Sequence, residues 1–390
     1  MTDVRFDPYL DTMTSRERVL EAFDHKEPDR VPVYLTITPE LAESLAASLD
    51  IEKYTLADSP LSQNRVSFHE ILTRCGNDVV GIGACAPSDS PTRNLGGNLY
   101  ADEWNITYKK VGYYVEQVEY PLAEACTVAG VRDFPYPDPE APGRFNLAYR
   151  IMDDYAEDYA ICGDLECTIF EGAWHMIGLE KFLIGLTMEE DYIFELMDQI
   201  QDYSIGVGKR LAAMGADFIW LGDDMGTQRG MLISPHMWRT HFKERLRTVI
   251  TEIRSVNPEL KIAYHSCGSY FPIIGDLIEI GVDILNALQP TASEMNLHEI
   301  KARFGREATL FGGIDVQDIL PFGSMEDVEK EVRRVIQTAG PGGGLLMAGA
   351  HNFQPDVSVE KLLRVYEIVK TEGRYPLYQP SLSGKSSKSG

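Results

Sequence analysis

Short apolar runs alternate with longer amphipathic segments along most of this chain. Most runs are continuously apolar, as is typical of parallel strands covered by helices on both faces. The pattern predicts strands at residues 31–37, 78–83, 159–168, 217–222, 261–266, 283–288, 309–314 and 344–350. It predicts helices at residues 237–255, 271–280, 297–304, 325–338 and 359–370. About eight strand–helix units in one chain favour an α/β fold closed into a (β/α)₈ barrel.

The alternative fold, a doubly wound open sheet, is disfavoured because no Gly-x-Gly-x-x-Gly turn follows an early strand. The alternation breaks between residues 84 and 158. Residues 99–120 alternate in hydrophobicity, which predicts a β-hairpin inserted after the second strand, within an insertion of about residues 85–140. The aromatic residues of this segment are Tyr100, Trp104, Tyr108, Tyr113, Tyr114 and Tyr120. The hairpin would either cover the C-terminal mouth of the barrel or pack on its own aromatic rings.

Length and composition fit one barrel domain over residues 1–372, followed by a flexible tail at 373–390. Of the 390 residues, 44% are hydrophobic and 25% are charged, as in ordinary globular proteins. The formal net charge of −24 argues against a nucleic-acid partner, since phosphate backbones require the opposite sign.

The cysteine content and the apolar runs indicate the cellular setting. The six cysteines have no paired spacing, and no apolar run approaches the roughly 20 residues of a membrane span. They are Cys75, Cys85, Cys126, Cys162, Cys167 and Cys267. We therefore expect a cytoplasmic protein with free thiols and no membrane contact.

Polar residues lie at most of the predicted strand ends, where (β/α)₈ enzymes carry their functional groups. They are Glu166 and Cys167 after the third strand, Asp223, Asp224 and Gln228 after the fourth, His265 and Cys267 at the fifth, Asn286 and Gln289 at the sixth, Asp315 after the seventh, and His351, Asn352 and Gln354 after the eighth. Asn286, Gln289 and Gln228 are candidate substrate-binding residues. Trp174, which follows the loop after the third strand, is a fourth.

The most informative pair is His265 and Cys267. Residues two apart on an extended strand point to the same side, so their ligand atoms converge on one point. Imidazole and thiolate are typical zinc ligands, and His351 is the candidate third ligand. The alternative is that the pair only packs in the core and that His351 is a hydrogen-bonded loop residue.

Three carboxylates are candidates for a further metal ligand, a general base or a substrate anchor: Glu166, Asp223 and Asp224. Adjacent aspartates on a strand point to opposite faces, so at most one of the pair faces the barrel axis. The sequence slightly favours Asp223 and leaves the choice open.

Several segments carry a family resemblance: residues 14–23 (TSRERVLEAF), 28–32 (PDRVP), 222–228 (GDDMGTQ), 265–268 (HSCG), 281–286 (GVDILN) and 311–315 (FGGID). In combination they are similar to the uroporphyrinogen decarboxylase superfamily, over about residues 14–372. The resemblance implies a (β/α)₈ barrel and allows a homodimer.

The superfamily contains decarboxylases and cobalamin-dependent methyltransferases. The decarboxylases carry an arginine-rich segment just after the first strand, whereas residues 34–40 (YLTITPE) contain no arginine. A substrate with many carboxylates needs cationic anchors, so this departure argues strongly against haem-pathway decarboxylation.

The methyltransferase branch binds zinc through a His-x-Cys pair and a later cysteine. His265 and Cys267 match the pair, but His351 lies near the position of the later cysteine. Fewer thiolates leave zinc a stronger Lewis acid, which favours activation of a methyl donor over activation of a thiol.

The resemblance thus implies a zinc-dependent methyltransferase of the O-demethylase type. It would move a methyl group from a small donor, such as a methoxylated aromatic compound, to the cobalt of a corrinoid protein. The alternatives are a metal-independent decarboxylase or lyase that depends on Asp223 or Asp224, and a non-catalytic binder of a small molecule or tetrapyrrole.

Overall fold

The structure is a computed structural model that describes residues 11–56, 61, 64–112 and 114–377. The strands in this part of the chain are β1 (Val79–Gly83), β2 (Arg93–Gly96), β3 (Leu99–Ala101), β4 (Thr107–Val111), β5 (Tyr114–Glu119), β6 (Ala160–Leu165), β7 (Phe218–Gly222), β8 (Gly226–Thr227), β9 (Gly230–Met231), β10 (Lys261–His265), β11 (Ile284–Asn286), β12 (Thr309–Ile314) and β13 (Leu345–Gly349). Seven of them form one parallel sheet in the order β1, β6, β7, β10, β11, β12, β13.

Helices follow the sheet strands along the chain. They are α1 (Ser15–Phe23), α2 (Pro39–Ser48), α3 (His69–Cys75), α4 (Val128–Arg132), α5 (Asn146–Tyr155), α6 (Phe170–Ile177), α7 (Leu179–Thr187), α8 (Asp191–Met214), α9 (Pro235–His241), α10 (Lys243–Arg254), α11 (Ile274–Glu279), α12 (Leu297–Phe304), α13 (Ile319–Phe322), α14 (Met325–Ala339) and α15 (Val359–Glu372). Two short 3₁₀ helices span Asn64–Val66 and Phe271–Ile273.

Residues 31–38 close the parallel sheet into a barrel. The Tyr34 N–H donates to the Met347 carbonyl at 2.9 Å, so this segment pairs with β13. On its other side the Asp78 N–H donates to the Val33 carbonyl at 2.8 Å, just before β1. The first predicted strand therefore makes only isolated β-bridges to its neighbour instead of a continuous ladder of hydrogen bonds. The predicted (β/α)₈ fold is confirmed.

The predicted helices are present, with two differences in continuity. Residues 271–280 form a 3₁₀ helix (Phe271–Ile273) followed by α11. The helix predicted over residues 237–255 consists of α9 and α10, which meet at Phe242. Helix α8 was not predicted, although its buried residues recur at helical spacing along 24 residues. The start of α1 is a capping box in which Thr14 accepts from the Glu17 N–H.

The insertion after β1 is larger than the single hairpin predicted from the sequence. Strands β2 to β5 form a four-stranded antiparallel sheet, because residues 93–96 pair with β3 as a further strand. The Trp104 ring packs edge-on against Tyr203 of α8 at 4.6 Å. The inserted sheet therefore rests on the helical layer of the barrel.

The segment after α15 packs against the start of the chain. The Val31 N–H donates to the Gly373 carbonyl at 2.9 Å, and the Tyr375 hydroxyl donates to the Gly340 carbonyl at 2.7 Å. Any flexible tail therefore begins later than the predicted residue 373, and residues 378–390 lie outside the described part. None of the helices in the described ranges has an apolar stretch that could cross a bilayer.

Asp78 is the fully buried centre of an ion-pair cluster beneath the closing segment. Its carboxylate accepts from Arg18 at 2.7 Å, from Arg30 at 2.7 and 2.9 Å, and from the Val33 N–H at 2.8 Å. Both guanidinium groups are also buried, with side-chain exposures of 1% for Arg18 and 7% for Arg30. One carboxylate thus joins α1, the closing segment and the start of β1.

Replacing Asp78 by Asn should lower the free energy of unfolding by about 3–5 kcal/mol, because two buried cations lose a shared counter-charge. Urea denaturation followed by circular dichroism measures the change. Asp24→Asn is the matched control, since its ion pair with Lys261 is exposed and worth at most about 1 kcal/mol. Equal stabilities of the two variants would contradict the role given to Asp78.

Candidate active site

A cavity of about 720 Å³ lies between the C-terminal ends of β1 and β6, the inserted sheet and helices α6 and α8. Its aromatic lining consists of Trp104, Tyr108, Tyr120, Trp174 and Tyr203. Its acidic lining consists of Asp102, Glu103, Glu116, Asp164, Glu166 and Glu171. A smaller cavity of about 110 Å³ lies near the centre of the barrel mouth, and Glu166 lines both. Side chains of the insertion therefore line the large cavity together with the ends of β1 and β6.

Asp224, His265 and Cys267 form a group that could hold a metal ion, with ligand atoms all within 4.8 Å of one another. His265 Nε2 lies 3.4 Å from Asp224 Oδ1 and 3.6 Å from Cys267 Sγ. The group forms because β7 and β10 are paired neighbours, with His265 beside Gly222 at their ends. The convergence predicted for His265 and Cys267 is present in the structure.

The spacing of these atoms fits a tetrahedral zinc ion. Zinc lies about 2.0–2.1 Å from nitrogen or oxygen and about 2.3 Å from sulfur, which places ligand atoms roughly 3.3–3.5 Å apart. The distances from His265 Nε2 to the carboxylate of Asp224 and the thiol of Cys267 are close to these values. One thiolate, one imidazole and one carboxylate also form a donor set that zinc accepts.

Asn286 determines which nitrogen of His265 faces the group. The Asn286 Nδ2 amide donates to the Phe311 carbonyl at 3.0 Å, and a carbonyl only accepts, so Oδ1 must face His265. His265 Nδ1 lies 2.6 Å from that oxygen and therefore donates to it. This tautomer leaves the Nε2 lone pair directed at Asp224 and Cys267, as metal-binding histidines require.

The electrostatics of the group favour positive charge at its centre. Burial alone would lower the pKa of His265, but hydrogen bonds with Asp224 and Cys267 raise it well above its usual value. Burial likewise opposes ionisation of Asp224, yet His265 and the Cys267 N–H lower the pKa of that carboxyl to about 2. A cation bound at His265 Nε2 would take the place of a proton there and would be stabilised by the same two partners.

The two adjacent aspartates have different surroundings, and Asp224 rather than the slightly favoured Asp223 faces His265. Asp223 is buried and accepts from the Ile169 N–H at 3.1 Å and the Glu171 N–H at 2.8 Å. Its carboxylate is therefore used by backbone donors at the start of α6. Asp224 points the other way, toward His265, and its N–H donates to Glu171 Oε2 at 2.9 Å.

Glu166 lies beside a buried arginine that the sequence analysis missed. Arg65 forms ion pairs with Glu166 and, at 3.1 Å, with Asp164, and its guanidinium stacks 3.9 Å from the Trp220 ring centre. Burial raises the pKa of Glu166, although the Arg65 charge opposes that shift. Residue 65 lies outside every predicted strand. The only sequence feature that could have predicted a cation here is the pair of carboxylates at the end of β6, Asp164 and Glu166, which need a counter-charge.

The structure places the remaining candidate residues in different surroundings. His351 is exposed at the rim of the small cavity and is not part of the close ligand group, where Asp224 takes its place. Trp174 lines the large cavity. Gln228 donates to Gln289 at 3.0 Å, so this pair braces the loop after β10 rather than lining either cavity.

The family model for uroporphyrinogen decarboxylase (URO-D) matches residues 117–372, which is more than half of the chain. This chain belongs to the uroporphyrinogen decarboxylase family. The resemblance identified from sequence motifs is thereby confirmed, and the matched range includes each ligand of the close metal group.

This uroporphyrinogen decarboxylase family member is similar to a protein and to a solved structure that are both described as methyltransferases from Methanosarcina mazei. A methylated-thiol–coenzyme M methyltransferase is 23% identical over 167 residues, which are 43% of this chain and 42% of the relative. The chain therefore aligns with under half of that protein's length. The solved structure of a methyltransferase from the same organism has a TM-score of 0.63 at 19% identity and covers 92% of this chain and 98% of that chain. This second likeness shows a shared fold.

Metal analysis can decide between Asp224 and His351 as the third ligand of this family member. We expect Asp224→Ala protein to carry one zinc ion fewer per chain than the wild type, because the ligand group loses its carboxylate. His351→Ala protein should carry the wild-type number. Elemental analysis after dialysis against a weak chelator measures both, and zinc loss in His351→Ala alone would restore His351 as the ligand.

Asn286 should affect zinc affinity without binding the metal. Replacing Asn286 by Ala removes the acceptor for His265 Nδ1–H, which should weaken zinc binding by about 10–100-fold. Competition with a chromophoric chelator measures the affinity, and thermal unfolding reports whether the fold persists. Asn257→Ala, on the exposed loop before β10, is the control and should bind zinc as the wild type does.

Proposed function

We propose that this protein is a zinc-dependent methyltransferase that moves a methyl group from a small donor to the cobalt of a corrinoid protein. The observation that carries the proposal is the Asp224–His265–Cys267 group at the mouth of a barrel of this family. The similarity to methyltransferases supports it, because both relatives described above transfer methyl groups by name. A methoxylated aromatic compound is the donor class we favour.

The charge of the cavities argues against the decarboxylase alternative. The arginines that line the two cavities within the described ranges are Arg144 and Arg65. Arg144 pairs with Glu103 at 2.6 Å, and Arg65 pairs with Asp164 and Glu166. Both guanidinium groups are therefore neutralised by carboxylates of the protein. A substrate with several carboxylates would find no free cationic anchor there and would face repulsion from the acidic lining.

The lining of the large cavity suits an aromatic donor. Trp104 and Trp174 are aromatic walls on different sides, contributed by the inserted sheet and by α6. Offset or edge-to-face contacts with such rings stabilise a bound aromatic ring by about 0.5–1.5 kcal/mol each, beyond the burial of its apolar area. The protein would thus orient a methoxy group toward the small cavity, where Glu166 separates the two spaces.

Asp224, His265 and Cys267 would hold the zinc ion, and Asn286 would keep His265 in the metal-binding tautomer. When bound, zinc supplies Lewis-acid polarisation of the donor oxygen, which makes that oxygen a better leaving group. Glu166 lies at the junction of the cavities, and burial raises the pKa of its carboxyl group. In its protonated form it would give a proton to the departing oxygen, while Asp164 keeps Arg65 paired. The methyl group passes to the partner's reduced cobalt by direct displacement at the barrel mouth.

A single assay tests the proposal. The zinc-loaded protein is mixed with a reduced corrinoid protein and a panel of methoxylated aromatic and methylamine donors, and methyl–cobalt formation is followed by absorbance. We expect methylation with at least one methoxylated aromatic donor. Cys267→Ala should lower the rate by more than about 100-fold, since loss of a ligand exceeds the 10–100-fold cost of losing a supporting partner.

His241→Ala serves as the control for that assay, because His241 stacks on Phe194 at 5.2 Å and lines neither cavity. It should retain the wild-type rate. If no donor methylates the corrinoid protein, or if Cys267→Ala is as active as the wild type, the proposed function is wrong. Turnover after complete zinc removal would favour the metal-independent alternative instead.

A further inference from the structure

A second group of metal-ligating side chains lies on the wall of the large cavity. Cys167, Glu171 and His175 offer ligand atoms that all lie within 4.8 Å of one another, and all three line the cavity. Glu171 and His175 are four residues apart on α6, so they occupy the same face of that helix. Cys167 comes from the loop between β6 and α6.

The backbone brings these three residues together in two ways. A Cβ atom on Gly172 would lie 2.7 Å from the Cys167 carbonyl oxygen, so only glycine lets α6 approach the loop this closely. Cys167 itself has φ of 64°, in the left-handed region that non-glycine residues rarely adopt. Asp223 then holds the start of α6 through the N–H groups of Ile169 and Glu171.

Each side chain of this group has a ligand atom that is not used in a hydrogen bond among the described residues. Neither the Cys167 thiol nor the His175 ring has a hydrogen-bond partner among the residues that the structure describes. Burial lowers the pKa of His175 to about 4, so its imidazole is neutral at physiological pH and keeps a nitrogen lone pair. Glu171 uses Oε2 to accept from the Asp224 N–H, which leaves Oε1 for another contact.

We infer that Cys167, Glu171 and His175 form a second transition-metal site, separate from the Asp224–His265–Cys267 group, with an open coordination position toward the large cavity. Thiolate, carboxylate and imidazole together suit zinc or a similar borderline ion rather than magnesium or calcium. Three protein ligands beside a cavity is the arrangement of zinc sites that bind water or substrate in the fourth position. The inference does not depend on the proposed methyl transfer.

The negative charge around Glu171 supports a cation at this point. Asp224 lies beside Glu171, since its N–H donates to Glu171 Oε2 at 2.9 Å, and Asp164 and Glu166 line the same cavity. Arg65 is already paired with Asp164 and Glu166, and Arg144 with Glu103, so the arginines that line the two cavities within the described residues leave Glu171 without a counter-charge. A divalent ion held by Glu171 would supply the missing counter-charge.

Zinc counting tests the second site on the full-length protein. Each variant is equilibrated with excess zinc, passed through a desalting column and analysed for bound metal per chain. We expect two zinc ions in the wild type, one in His175→Ala, one in Cys267→Ala and none in the variant that combines both changes. His241→Ala and Cys126→Ser are matched controls, away from either group, and should each keep two.

Cobalt spectroscopy provides a second measurement if His175→Ala fails to fold. Cobalt(II) bound to thiolate gives a charge-transfer band, which should be about halved by Cys167→Ser and about halved by Cys267→Ser, since each site contributes one thiolate. Cys126→Ser should leave the band unchanged. A wild type that binds fewer than two ions, or a folded His175→Ala or Cys167→Ser protein with the full zinc count and band, would overturn the second site.

Discussion

The closure of the barrel by residues 31–38 is the constraint on which the other features depend. This segment pairs with β13 on one side and contacts the start of β1 on the other, and the buried carboxylate of Asp78 holds it there with two arginines. Closure brings the ends of all the sheet strands to one mouth. Residues more than one hundred positions apart in sequence, such as Glu166 and His351, thereby line the same small cavity.

The adjacent aspartates at the end of β7, Asp223 and Asp224, contact two different neighbouring elements. Asp223 points toward the start of α6, where its carboxylate accepts hydrogen bonds from backbone N–H groups. Asp224 points toward β10 and forms the close ligand group with His265 and Cys267. The first aspartate supports the helix that carries Glu171 and His175. The second supplies a ligand to the proposed zinc site, so both cavity walls depend on this dipeptide.

The inserted sheet contributes aromatic and acidic side chains to the large cavity of the barrel. It brings Trp104 and Tyr108 to the cavity lining, together with the carboxyl group of Asp102, whose pKa burial raises to about 6. The cavity that results is aromatic and acidic, and its arginine is already paired. These properties support the neutral aromatic donor that we propose over a polycarboxylate substrate, in agreement with the missing arginines at residues 34–40.

The sequence alone determined the alternation of strands and helices, the barrel and the His265–Cys267 pair, because these follow from local periodicity and from spacing along one strand. It could not choose between Asp223 and Asp224, nor reveal Arg65 as the partner of Glu166. Both depend on which neighbouring element supplies the hydrogen-bond donors or the opposite charge. That element is determined only when the strands and helices pack together. Tertiary packing also determines that Asp224, rather than His351, lies beside Cys267, because the distances between ligand atoms depend on how the strands pack.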